Sequence, residues 1–257
     1  MKVALVNVKG GVGKTTTAVN LAAAFARSGL KVLAVDLDPQ GSATTSFGVA
    51  REEATPSIAE VLLGEVETSE AVQETGVEGI SLLPASLRLA GLDLALARKQ
   101  EPDKLLKKAL SSVRRRYDVI VLDCPPGLSI LTTNALAAVD ATIIPVTPHH
   151  LDMEALAGFF EALSTLKERI GKIPELLGIL LTLVDHRTQV TEEVVAAIRG
   201  TWGKRVFRTE IPINVRLSEA PAHGRTIFEF ESWSTGALAY GKLGGEVLRR
   251  ARKAELI

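Results

Sequence analysis

Residues 9–16 read Lys-Gly-Gly-Val-Gly-Lys-Thr-Thr, set between an apolar run, Val3 to Val8, and a helical pattern, Thr16 to Arg27. A glycine-rich turn that joins a strand to a helix constrains the fold more than any other feature of this chain. Gly10, Gly11 and Gly13 let the backbone N–H groups around Val12 point inward, and the helix adds the positive end of its dipole at the same spot. The result is a cradle for a polyphosphate. Lys14 supplies a charge, Thr15 is placed to hold Mg²⁺, and Thr16 continues the loop into the helix.

The loop departs from the usual G-x-x-x-x-G-K-[ST] pattern: Val8 stands where the first glycine is expected, and Lys9 adds a second cation. Two lysines so close repel in an empty site, so Lys9 makes sense with a multiply charged anion nearby, or pointing away from its own loop. A dinucleotide fingerprint is the main competing reading, and Asp36 does end the next strand where a ribose-binding acid is expected. The spacing argues against it. Thr16 breaks G-x-G-x-x-G, and the Lys14-Thr15 pair has no task on a dinucleotide.

Apolar β-like runs alternate with helical patterns along the chain. The strands are expected at 2–8, 31–36, 79–83, 118–122, 141–146, 176–184 and 206–211. Helices are expected at 14–28, 57–63, 87–98, 102–116, 129–138, 152–170, 190–200 and 234–254, with 41–78 the least regular stretch. Val119 to Leu122 is apolar at every position, which means burial on both faces. The fold class is therefore α/β: a single P-loop domain over 1–257 with a mostly parallel, twisted sheet and helices on both faces. With 257 residues, 46% of them hydrophobic, the chain can bury such a core.

Two further motifs end strands. Asp36 and Asp38, in Val-Asp-Leu-Asp-Pro-Gln-Gly, are two apart and able to face one side at the sheet edge where ligands bind. One acid would orient Mg²⁺ or the loop and the other a water attacking the γ-phosphate; the competing reading is an Asp-Pro turn with a capping role. Asp123, closing Val-Ile-Val-Leu-Asp ahead of Pro125-Pro126-Gly127, has the placement of a carboxylate that holds Mg²⁺.

The lysine-rich loop, the D-x-D-P-Q-G segment at Asp36 to Gly41, the acid at Asp123 and the segment Ile211 to Pro221 occur in the order found in ParA/Soj partitioning ATPases, which they resemble from Lys9 to Gly224. That resemblance to the deviant Walker A, ParA/MinD superfamily implies ATP and Mg²⁺ as cofactors and slow ATP hydrolysis. It implies Lys9, Lys14 and Asp38 as catalytic residues, with Lys9 reaching across a homodimer to the partner's nucleotide. Thr15, Asp36 and Asp123 are implied at the metal. Pro212 and Asn214 are implied at the adenine, although Ile213 stands where the family commonly has arginine. Non-specific double-stranded DNA and a ParB-type centromere-binding protein are the implied partners, with ATP favouring the DNA-binding dimer and hydrolysis releasing it. The location implied is cytoplasmic and bound to the bacterial nucleoid.

Arg187 and Arg216 match DNA-binding positions of Soj-like members, and Arg249 and Arg250 add charge on the last helix, where they could equally just complement the helix dipole. Basic and acidic residues both number 30, so no global field marks a nucleic-acid binder, though residues 171–257 carry 13 basic against 10 acidic. A MinD-like membrane-associated ATPase is the alternative; it needs an amphipathic tail, and Gly241, Gly244 and Gly245 weaken the terminal helix. Cys124 is the sole cysteine, which excludes an iron–sulfur member bridged by two cysteines per subunit. Adjacent His149 and His150 on an extended segment face opposite ways and are expected in solvent. Met1 leads straight into the first strand, so neither a signal peptide nor the basic tail common in Soj-like proteins is expected.

Overall fold

Strands apolar at every position require cover on both faces, and that cover is what the chain builds. The computed structural model describes residues 1–257, apart from the side chains of Leu151 and Glu154. Seven strands form one sheet: β1 Lys2–Leu5, β2 Val32–Asp36, β3 Gln73–Glu74, β4 Ile80–Leu83, β5 Val119–Asp123, β6 Ala141–Val146 and β7 Glu175–Leu181. Their order is β3-β4-β2-β5-β1-β6-β7, parallel throughout except for the short edge strand β3.

The helices are α1 Lys14–Ala26, α2 Ser42–Ser46, α3 Ile58–Leu63, α4 Thr68–Ala71, α5 Asp93–Ala97, α6 Leu105–Val113, α7 Ile130–Ala138, α8 His150–Ile170, α9 Gln189–Trp202, α10 Val215–Glu219, α11 Ile227–Phe230 and α12 Thr235–Lys253. Alternation along the strands divides the core between two layers. Val3, Leu5, Val119 and Val121 pack with Leu21 and Phe25 of α1 and Tyr240, Leu243 and Val247 of α12. Ala4, Val6, Ile120 and Leu122 pack on the opposite face with Leu110, Leu136, Leu156 and Ile198 from α6 to α9.

Local chemistry sets the helix ends. Ser57 caps α3 in a capping box with Glu60; Ser129 caps α7, Thr188 caps α9 and Ser234 caps α12. The expected helix 87–98 is split into a 3₁₀ turn and α5, with Gly91 between them at φ 90°. Gly244 of α12 serves packing: a Cβ there would lie 2.9 Å from that of Ala24, so the glycine lets α12 close on α1.

The expected strand at 206–211 is a correction. This segment runs beside β7, with Phe207 N–H donating to Ile179 O and Ile211 N–H to Leu181 O, but it forms only isolated bridges. Between those bonds, the N–H groups of Arg208 and Thr209 donate to the two carboxylate oxygens of buried Glu246 on α12, each at 2.9 Å. A side chain has taken the donors that a ladder would use.

Candidate active site

β1 lies inside the sheet between β5 and β6 and delivers the glycine-rich loop to its carboxyl edge, where β2 and β5 deliver Asp36 and Asp123 in register. Gly11 and Gly13 sit in the left-handed region, at φ 74° and 78°, so the loop geometry requires residues without Cβ there. Asn7 braces the loop: its amide donates to Pro145 O at 2.7 Å, and its carbonyl oxygen accepts from Lys9 N–H at 3.0 Å. Thr182, just past β7, donates its hydroxyl to Val12 O at 2.9 Å.

Lys14 is buried, and its ammonium donates to Lys9 O at 2.8 Å, closing the loop on itself. Burial lowers its pKa, with Asp123 and Asp38 pulling the other way. Thr15 and Thr16 are half-buried on the first turn of α1 beside this closure. Lys9, the extra cation, does not point into its own loop; its ammonium pairs with the buried carboxylate of Asp152.

The three acids have separate situations. Asp36 is fully buried with both oxygens engaged: one accepts from Asp38 N–H at 3.0 Å, the other from both the N–H and the hydroxyl of Thr44 at 2.8 Å. Burial nevertheless pushes its pKa up to about 6. Asp38 is half-buried and accepts from Gln40 N–H at 2.9 Å in a local turn. Asp123 is 1% exposed, and neither of its oxygens finds a hydrogen-bond partner among the described residues. Burial first, then the charge of Asp36, raises its pKa well above the ordinary range, against the smaller opposing pull of the Thr15 hydroxyl and the Lys14 charge.

An unpartnered buried carboxylate beside Thr15 is the donor chemistry a hard divalent cation takes, and Asp123 meets that test. Asp36 fits the loop-bracing half of its expected role better than direct ligation, because three of its roughly four lone-pair sites already accept hydrogen bonds. No cluster of His, Cys, Asp or Glu able to hold a metal by itself occurs among the described residues, and His149 and His150 are exposed as expected.

Pro212 and Asn214 flank exposed Ile213 beside the extension of β7, held by Val184 N–H to Ile211 O at 3.1 Å and Ile213 N–H to Val184 O at 3.2 Å. Leu183, between Thr182 and this pairing, holds φ 53°, a strained value for leucine at the junction of loop and segment. Asn214 caps α10 through Leu217 N–H and donates to Thr235 Oγ1 at 2.7 Å. Pro212, Val184, His186, Thr235 and Leu238 line a cleft of about 500 Å³.

The four arginines expected at DNA are not brought together. Arg187 and Arg216 lie near the carboxyl edge, exposed and paired with Asp185 and Glu219. Arg249 and Arg250 lie at the far end of α12, roughly 20 Å along the helix from Thr235. Arg250 is spent internally: it donates to Leu177 O and Val206 O at 2.8 Å and to Glu246 at 3.0 Å, and stacks on Phe207 at 4.1 Å. Exposed Arg249 instead lines a cleft of about 790 Å³ with Lys204, Arg205, Arg208 and Lys253.

Asn7, Thr182, Asp152 and Glu246 carried no signal in the sequence reading.

A family model described as an AAA domain matches residues 1–175. The chain is 38% identical over 245 residues to the sporulation initiation inhibitor protein Soj of Bacillus subtilis, covering 95% of this chain and 97% of that one. It is 44% identical over 253 residues to the chromosome-partitioning ATPase Soj of Thermus thermophilus, covering 98% and 97%. A solved structure of cobyrinic acid a,c-diamide synthase from Mycobacterium smegmatis with bound ADP and magnesium matches with a TM-score of 0.85 at 34% identity, covering 98% and 96%. With identity of this order over nearly the whole length of both chains, the protein belongs to the ParA/Soj family of chromosome-partitioning ATPases.

Proposed function

We propose that this chain is an ATP-driven switch that moves chromosome or plasmid DNA. One observation carries the reading: a buried lysine, an unpartnered buried carboxylate and a half-buried second acid converge at the head of α1. Lys14 and the loop N–H groups would hold the β- and γ-phosphates, Thr15 and Asp123 would hold Mg²⁺, and Asp38 would orient the attacking water. When bound, Mg²⁺ neutralises charge on the phosphate oxygens. Asp36 fixes the Asp38 turn through Asp38 N–H and Thr44, and so sets where that carboxylate sits. Pro212 and Asn214 would meet the adenine.

ATP would close a homodimer in which Lys9 of each copy reaches the nucleotide of the other. The dimer would bind duplex DNA without sequence preference through Arg187, Arg216 and the basic cleft at Arg249; a ParB-type partner would speed otherwise slow hydrolysis and so release it. ATP strengthens DNA binding only if the dimer binds DNA better than the monomer, and doubling a modest basic surface across a two-fold meets that condition.

The membrane-associated alternative loses support from α12. Its apolar residues Tyr240, Leu243, Val247 and Ala251 are buried against α1 and the sheet, so they are not free to enter a bilayer surface. No helix among the described residues is long and apolar enough to cross a membrane.

The test is binding to a non-specific duplex with ATP, ADP or no nucleotide, across a salt series and with anionic vesicles as competitor. ATP-dependent binding that weakens with salt is the expected result. Binding to vesicles and not to duplex would move the protein to the membrane-associated class.

A further inference from the structure

Arg225 lies in the turn before α11, and its backbone is fixed from both sides. One residue earlier, Gly224 at φ 60° meets Gly48: a Cβ on Gly224 would lie 2.8 Å from the Gly48 Cα, so two backbones touch with no side chain between them. Gly48 closes the stretch that begins at the Asp38 turn, where Gly41 N–H donates to Asp38 O at 2.9 Å and Gly48 N–H to Thr45 O at 3.0 Å. Two residues after Arg225, Ile227 N–H donates to the buried side chain of Asn20 at 2.8 Å, and the amide of Asn20 donates to Thr16 O at 2.8 Å. Arg225 is therefore seated between the first turn of α1 and α2, the helix that follows Asp38.

The space between them is a cleft of about 280 Å³ lined by Thr15, Thr16, Ser42, Thr45, Ser46 and Arg225. At about 30 Å³ per water, it has room for an oxyanion and several waters. Its walls offer hydroxyls and one cation. That cation is uncommitted: Arg216, in the same segment, pairs with Glu219 at 2.8 Å, whereas exposed Arg225 has no ion pair or side-chain hydrogen bond among the described residues. A guanidinium on a pinned backbone, with no carboxylate to answer it, is free to meet a ligand oxyanion with its planar fork. Thr15 and Thr16 stand at the phosphate end of the proposed nucleotide site, so a group that shares their cleft faces the phosphates and not the base.

We propose that Arg225 supplies a guanidinium to the phosphate end of ATP from within the same chain and speeds cleavage of the γ-phosphate. This role rests on the reading of the glycine-rich loop as an ATP-hydrolysing site. In that reaction water oxygen bonds to the γ-phosphorus, the bridging oxygen leaves with the bond pair on ADP, and the proton lost by the water passes to solvent. Negative charge shifts among the phosphate oxygens as the bond breaks. A fixed guanidinium beside them gains strength with that shift, and so lowers the barrier more than it tightens binding. Its open side keeps the effect below that of an arginine enclosed away from water.

Single-turnover hydrolysis and ATP calorimetry on the full chain with Mg²⁺ test this in wild type, Arg225→Ala, Arg225→Lys and Lys14→Ala, without DNA. In Arg225→Ala the rate is expected to fall about tenfold, while the ATP dissociation constant moves by less than about threefold. Arg225→Lys keeps the charge but not the fork and should recover only part of the rate. Added methylguanidinium should restore Arg225→Ala and leave wild type unmoved, which a merely structural arginine would not show. Arg225→Gln keeps much of the stem without the charge and serves if Arg225→Ala fails to fold. A wild-type rate in Arg225→Ala overturns the proposal, and weakened duplex binding alongside it would move Arg225 to the DNA surface. Lost ATP affinity with an intact saturated rate also overturns it, because the arginine then holds the nucleotide without aiding cleavage. A wild-type chain that does not hydrolyse ATP, or a Lys14→Ala protein that binds it normally, overturns the reading of the loop and the role of Arg225 with it.

Discussion

Asp36 and Asp123 stand side by side on adjacent parallel strands, and one has both oxygens engaged while the other has neither. The pair divides the labour of two buried acids: Asp36 shapes a loop, and Asp123 is left free for the cation we propose there. Replacing Asp123 by Asn should therefore stabilise the nucleotide-free protein while removing Mg²⁺-dependent hydrolysis. The gain has a sign in pH. A carboxylate whose folded pKa is raised favours the folded state while protonated and costs stability as pH rises from the unfolded to the folded value. Chemical denaturation should show Asp123→Asn and wild type nearly equal in acid and diverging as pH climbs above the ordinary aspartate range, where the buried carboxylate must ionise. Equal stabilities at pH 8 would mean that Asp123 is not an uncompensated charge.

Lys14 and Asp38 should fail differently. Lys14→Ala removes a charged contact to phosphate worth about 3 kcal/mol and should abolish measurable ATP binding by calorimetry. Asp38→Ala should bind ATP, lose hydrolysis by roughly 100-fold or more and stay on DNA as a dimer. Normal phosphate release by Asp38→Ala would remove Asp38 from the chemistry.

Neighbouring arginines on α12 should separate stability from DNA binding. Arg250→Ala strips four donor contacts and a ring contact from one buried network and should destabilise the fold by about 3 kcal/mol in urea titration. Arg249→Ala should leave stability unchanged and weaken duplex binding with a shallower salt slope. A stable Arg250→Ala protein that has lost DNA binding would reverse the assignment.

His186 bridges Glu192 and Glu210, and these hydrogen bonds raise its pKa from 6.5. A raised histidine pKa adds stability that is complete below the unfolded value and fades as pH rises through the folded one. The melting temperature of His186→Gln should fall below wild type at pH 6, and the difference should vanish at pH 9. A pH-independent difference would point to packing instead.

The parallel sheet was readable because β2, β5 and β6 are apolar along nearly their whole length, and only a doubly covered strand has that pattern. The loop and the acids at strand ends were readable because phosphate chemistry restricts residue type at fixed spacing. What stayed hidden depends on contacts between distant segments. Residues 206–211 have strand composition, but Glu246, nearly forty residues later, takes the central N–H groups. Arg250 looks like any basic residue of a last turn until Phe207 and two carbonyls surround it. Asp152 acquires meaning only when β6 and the loop are brought together.

α12 is anchored at one end by Arg250 and Glu246 to β7 and the segment beside it, and meets Asn214 at the other through Thr235. Between these anchors it is packed along α1, so it joins the cleft beside Asn214 to the basic cleft at Arg249 as one rigid span. Any rotation of α12 as a unit would therefore move Asn214 and the stretch that displays Arg249 together.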